Sequence, residues 1–184
     1  MSSAYYYFAA SLPTLNFNGS APFSVESFRA DCQRLLKSED YEEVERALGL
    51  RHDAATNTFL IAWQNFVRQL EVEIAWHRLS HQGAGATLNY ERRFDADVVD
   101  VINQALKEDD LLEAERMVMR LKWDHLEHMG LNHFFDLESI LVYAAKLKIL
   151  ERLSVFGSEQ GREIFQGIEE RVLAFKDEKI RMFE

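Results

Sequence analysis

Residues 123–153 read WDHLEHMGLNHFFDLESILVYAAKLKILERL, and the reading of this stretch decides the fold. It holds the end of one helix, a glycine, an aromatic turn and a strongly apolar second helix. Gly130 is the expected stop, because glycine takes the left-handed conformation that ends many helices. Asp136 is the expected restart, its short carboxylate accepting from the open N–H groups of the next turn. Beyond it, Leu137, Ile140, Leu141, Ala144, Leu147 and Leu150 leave little room for a polar face. A helix apolar nearly all round is central to its domain, so the chain reads as all-α.

Working back from this stretch, the same pattern repeats. Ser24 is placed to cap a helix through about Lys37, with Val25, Phe28, Cys32, Leu35 and Leu36 on one side. Ser38 is placed to cap a short acidic helix that ends at Gly49. Phe59, Trp63, Phe66, Val67, Leu70 and Ile74 recur at spacings of three and four, which predicts an amphipathic helix from Thr56 or Asn57 to about His81. Further helices are expected over 96–107 and 110–129, and a final one over 158–184. The total is six to seven helices. Both prolines, Pro13 and Pro22, lie in the first 22 residues, so nothing after them breaks a helix by ring closure.

The segment 1–23 reads differently. Crowded aromatics at Tyr5, Tyr6, Tyr7 and Phe8 favour extended backbone, and Leu12 before Pro13 is pushed the same way. An extended aromatic arm over 1–23 followed by a single helical domain over 24–184 is the expected organisation. Within that domain, residues 33–46 (QRLLKSEDYEEVER) and 103–116 (NQALKEDDLLEAER) align at an offset of 70. Leu36, Lys37, Asp40, Glu43, Glu45 and Arg46 then meet identical residues at 106, 107, 110, 113, 115 and 116. Duplicated units over 24–82 and 95–156 would produce this, and so would shared acidic, helical composition. Gly83 to Ala86 is the natural hinge between two such lobes.

Composition bounds the function. A net charge of −10 is repelled by phosphate backbones and anionic lipid, so nucleic acid is excluded as a first partner and a basic protein surface is favoured. One cysteine, Cys32, allows no internal disulfide and suits a reducing cytoplasm. No apolar run is long enough for a membrane span. The expected location is the cytoplasm, with peripheral attachment to the inner membrane through a protein complex still allowed.

Catalytic signals are weak. Helical bundles hold two iron or manganese ions with Glu-x-x-His on two helices and a carboxylate from each of two others. The nearest candidates here are Glu73, His77, His81, His125 and His128. Glu73 and His77 are four apart, and neither His125 nor His128 completes Glu-x-x-His. Cys32 falls on an apolar helix side, where a thiol stays protonated. The GAGAT at 83–87 lacks the lysine of a phosphate loop. The expectation is therefore no catalytic residue, no metal and no cofactor. A metal-dependent helical-bundle enzyme is the competing class. A stand-alone regulatory module that forms a homo-oligomer through residues 137–155 is a third.

Three stretches carry a family resemblance: AYYYFAASLPTL at 4–15, APFSVESF at 21–28 and, above all, FFDLESILVYAAKLKILERL at 134–153. They resemble an uncharacterised bacterial family found beside V-type ATPase genes. Residues 95–156 are also similar to a segment of the central-stalk component of V-type ATPases that sits between the membrane rotor ring and the stalk. There an Asp-capped helix with an apolar-apolar-Tyr core and a charged tail recurs, as Asp136, Leu141, Val142, Tyr143 and Glu151-Arg152 do here. The chain is roughly half the length of that component and has at most two units where it has three. The resemblance implies an all-helical stalk or adapter protein without an active site, whose partners are V-type ATPase or ATP synthase subunits of the rotor ring or central stalk. Candidate partner-binding residues are Tyr5, Tyr6, Tyr7 and Phe8 of the arm, and His133, Phe134, Phe135 and Asp136 of the turn.

Overall fold

The computed structural model describes residues 3–81, 94 and 96–157. Among them are seven helices and no strand: α1 (Ser3–Ser11), α2 (Val25–Leu35), α3 (Ser38–Ala47), α4 (Thr58–His81), α5 (Ala96–Lys107), α6 (Leu111–Gly130) and α7 (Leu137–Gly157). The hinge expected at Gly83 to Ala86 and the final helix expected over 158–184 lie outside the described residues.

Several helix ends follow from single side chains. Ser24 Oγ accepts from Ser27 N at 3.2 Å and starts α2. Asp110 Oδ1 accepts from Leu112 N at 2.8 Å and starts α6. Asp136 Oδ1 accepts from Ser139 N at 3.0 Å and starts α7. Each satisfies a backbone donor that the first turn leaves open. Gly49, at φ 72°, closes α3 in the left-handed conformation, with Leu50 N donating to Glu45 O at 2.9 Å. Ser38 is the first residue of α3 rather than its cap. Lys37 holds the cap position without a side-chain bond, and Glu39 and Asp40 in the first turn complement the helix dipole instead.

Two further expectations are corrected. Residues 3–11 are helical, not extended. The aromatics bias the backbone only weakly, and tertiary contacts override that bias. Phe8 is buried and stacks on Phe28 at 6.1 Å, while the Tyr5 hydroxyl donates to Asp40 and accepts from Lys37 N. Irregular chain begins at Leu12, before Pro13, and includes the Asn-Gly turn, where Gly19 N donates to Asn16 O at 3.0 Å. The second correction concerns Gly130, which is not left-handed; Gly49 alone has positive φ among the described residues. Leu131 continues in right-handed helical geometry. What the glycine supplies is closeness: a Cβ there would meet Val142 of α7 at 3.4 Å.

Helix α7 is the hub. It packs on α1, α2, α3, α4 and α6, and it buries Ile140, Leu141, Ala144, Ala145, Leu147, Ile149 and Leu150. Its surroundings include Phe28, Cys32, Val44, Leu60, Trp123 and Leu126, in one contiguous core. Burial of this kind is the main favourable term in folding. Helix α5 sits to one side, packed on α6 and α4.

A polar network fixes the α3–α4 connection to this core. Arg46, shielded from solvent, donates to Glu43 Oε1 at 3.1 Å and to Asp53 Oδ2 at 2.6 Å. Thr56 N donates to the same Glu43 oxygen at 2.9 Å. The flanking guanidinium groups of Arg46 and Arg51 hold the Asp53 carboxyl far below its usual range. No described helix is long and apolar enough to cross a membrane.

Candidate functional site

The turn between α6 and α7 is held rigidly from below. Asp136 uses one carboxylate oxygen on Ser139 N and the other on His133 Nδ1, at 2.6 Å. Burial works against the Asp136 charge, but the bonds from His133 and Ser139 outweigh it and hold its pKa below the usual value. His133 N donates to Gly130 O at 3.0 Å, and the His133 ring meets Phe59 of α4 edge-on at 5.5 Å. Asn57 Nδ2 donates to Glu138 Oε1 at 3.1 Å, a second tie between α4 and the start of α7.

With its polar groups turned inward, the turn sends its aromatics outward. Phe134 is 69% exposed and Phe135 41% exposed. Leu131, at the start of the same turn, is exposed as well. Helix α1 completes the surface. Tyr6 packs on Phe135 with ring centroids 4.5 Å apart, and Tyr7 meets Tyr6 edge-on at 5.7 Å. Tyr6 and Tyr7 are 51% and 72% exposed. The structure thus joins two sequence-distant aromatic clusters into one patch that solvent reaches. Aromatic groups on a rigid base are the groups that dominate protein interfaces.

The eight candidate partner-binding residues divide by role. Tyr6, Tyr7, Phe134 and Phe135 form the patch. Phe8 belongs to the core, and Tyr5 ties α1 to α3 through Asp40. Burial and the neighbouring Asp40 charge push the Tyr5 hydroxyl up to about 12. His133 and Asp136 shape the turn.

The metal candidates are scattered. Glu73 and His77 are buried on α4 and bonded to each other at 3.1 Å, with Trp76 edge-on to His77 at 5.0 Å. His81 holds the last position of α4, and its side chain lies outside the described residues. His125 lies flat on Phe66, ring centroids 3.5 Å apart, and its neighbour His128 is exposed. Burial, then the His128 charge, lowers the His125 pKa. None of these groups joins a cluster of three ligands among the described residues.

One such cluster does occur, formed by His133, Asp136 and Glu138. Sequence reasoning did not combine these three. Their spacing gives the signal, yet each also has a bond that shapes the turn. Cys32 is fully buried, and burial pushes its thiol up to about 12, which leaves it protonated and unreactive.

No curated protein and no solved structure matches the chain. Residues 94–174, a span that takes in α5, α6 and α7, match the model of a family described as a protein of unknown function, DUF2764.

Proposed function

We propose that the chain is a non-catalytic helical adapter, a docking component of a V-type ATPase or ATP synthase, that engages a partner subunit through the Tyr6, Tyr7, Phe134 and Phe135 patch. The observation that carries this reading is the Tyr6–Phe135 contact at 4.5 Å, which assembles exposed aromatics on a base fixed by Asp136. Exposed aromatic patches of this kind mark interaction sites on otherwise well-packed proteins. The excess of acidic residues favours a partner face that is apolar at its centre and basic at its rim. The adapter acts mechanically, as a stiff body around α7 that holds an assembly in register.

The V-type ATPase assignment rests on the sequence resemblance, and the patch supplies its contact surface. The test is a pull-down from native lysate with the parent chain and with Tyr6→Ala/Phe135→Ala. The parent is expected to recover V-type ATPase subunits. The double variant is expected to lose them while its melting temperature stays within about 2 °C, because exposed side chains contribute little to folding. Recovery of no such subunits by the parent sinks the ATPase assignment. Equal recovery by both chains sinks the patch.

A further inference from the structure

Helices α4 and α6 touch where the His125 ring stacks on Phe66, and a groove of about 490 Å³ opens beside that contact, between α4, α6 and α7. Buried Trp63, Met119, Ala145 and Ile149 line its depth, and half-buried Val67, Ile74 and Val118 line its sides. A second hollow of about 270 Å³ continues it toward α5, sharing Ile74 and Val118 and adding Ile102, Leu106 and Leu112. Concave sites with a mostly apolar lining and a few polar groups are the usual seats of small ligands.

The charges around the groove do not cancel. Its lining holds Arg78, Lys122, Lys148 and Arg152 against Glu71 and Glu115. Arg152 is bonded to Glu115 at 2.7 Å, and Lys148 to Glu151 at 2.6 Å. That leaves Arg78 and Lys122 against Glu71, two positive charges against one, in a chain that is otherwise strongly acidic. Neither Arg78 nor Lys122 has a carboxylate within 4 Å among the described residues. Lys122 is half-buried, and burial lowers its pKa against the pull of the Glu71 and Glu115 charges. An ammonium group drawn out of water without a close counter-charge is unfavourable, and an anion from outside relieves it.

We propose that this groove binds an apolar monocarboxylate, its carboxylate meeting Lys122 and its acyl chain running past Ile74 and Val118 toward the hollow beside α5. Lys122 sets the polar end, since it lines the first hollow and not the second. Apolar side chains continue from Met119 and Ile149 on to Ile102 and Leu106, which sets the direction of the acyl chain. Glu115 borders both hollows and lies seven residues before Lys122 on α6, about 10 Å of helix, so a chain of medium length reaches the second hollow. A single negative charge matches the surplus of one. Glu71 and Glu115 repel a phosphate dianion more strongly than a carboxylate.

Calorimetric titration of the full chain with sodium decanoate, below its micelle concentration, tests the proposal. One decanoate should bind per chain, and decyltrimethylammonium should bind at least about tenfold more weakly. Decyl phosphate should also bind more weakly than decanoate, and Glu71→Gln should narrow that preference. Lys122→Met keeps the apolar stem and removes the charge. It should weaken decanoate at least about tenfold and leave decan-1-ol within about twofold. Ala75→Trp, at an exposed position that lines the groove, should block both.

No binding of decanoate to the full chain overturns the proposal, whatever covers the groove. Equal affinity for decanoate and the ammonium overturns the role of charge, and unchanged binding by Ala75→Trp places the ligand elsewhere. Decanoate that binds only by splitting a dimer, seen by light scattering, overturns the proposal in favour of a second copy in the groove. If Lys122→Met loses its fold by circular dichroism, the ammonium comparison and Ala75→Trp decide, since neither alters a buried group.

Discussion

Tyr143 combines close aromatic packing with one of the buried polar atoms that this packing leaves unsatisfied. Its ring lies against Phe28 at 5.3 Å and Phe23 at 6.0 Å, in the aromatic cluster beneath α2. Its hydroxyl is closed to solvent and has no hydrogen-bond partner among the described residues. Burial pushes that hydroxyl up to about 12. A polar atom left without a partner costs about 1–3 kcal/mol. Tyr143→Phe removes only this atom, so stability should rise by about 1 kcal/mol, seen as a higher urea midpoint at unchanged slope. A lower midpoint would mean that the hydroxyl has a partner. The residues of the patch obey the opposite logic. Tyr6 and Phe135 were legible as candidates because aromatics crowd at both places in the sequence. That they meet was not legible, since no local spacing reports a contact between residues so far apart along the chain.

At the scale of the element, Gly130 separates two accounts of how α6 ends. A left-handed glycine would resist any side chain. The observed right-handed end beside Val142 admits a methyl group at ordinary contact distance and nothing larger. Gly130→Ala should therefore stabilise by about 0.5 kcal/mol, through reduced backbone freedom in the unfolded chain. Gly130→Leu should destabilise by about 1–3 kcal/mol through overpacking against α7. Thermal melts of the two variants check both signs, and a destabilised Gly130→Ala restores the left-handed reading.

The helix ends that could be read from the sequence were those written by one side chain or one conformation: Ser24, Gly49 and Asp136. The ends that could not be read were set by packing. Helix α1 forms against the sequence bias because Tyr5 and Phe8 both find partners on α2 and α3. The two similar stretches at 33–46 and 103–116 both fold as helix, break, helix, yet Arg46 is shielded and Arg116 is exposed, bonded through Nη2 to Asn18 at 2.8 Å.

At the scale of the whole molecule, acid sensitivity should run through His125. Its ring is stacked on Phe66 and faces Trp63 at 6.2 Å, with His128 as the nearby positive charge. The folded pKa lies below the ordinary 6.5. As pH falls through that value the unfolded chain takes up the proton first, so the folded state loses stability. Between pH 7.5 and 5.5 the melting temperature of the parent should fall more than that of His125→Phe, which keeps the stack and removes the proton site. Calorimetry at the two pH values decides it, and parallel losses in both proteins assign the sensitivity elsewhere.

Among the described residues, helix α5 packs mainly on two neighbours, whereas α7 is gripped by five. Such a body does not come apart evenly. Its outlying rod can swing free while the hub stays whole, so backbone amides should sort into a quickly exchanging class on 96–107 and a slow class on 137–157. That lateral strut is the seam where a protease, or a neighbour prising its way in, would first gain a foothold.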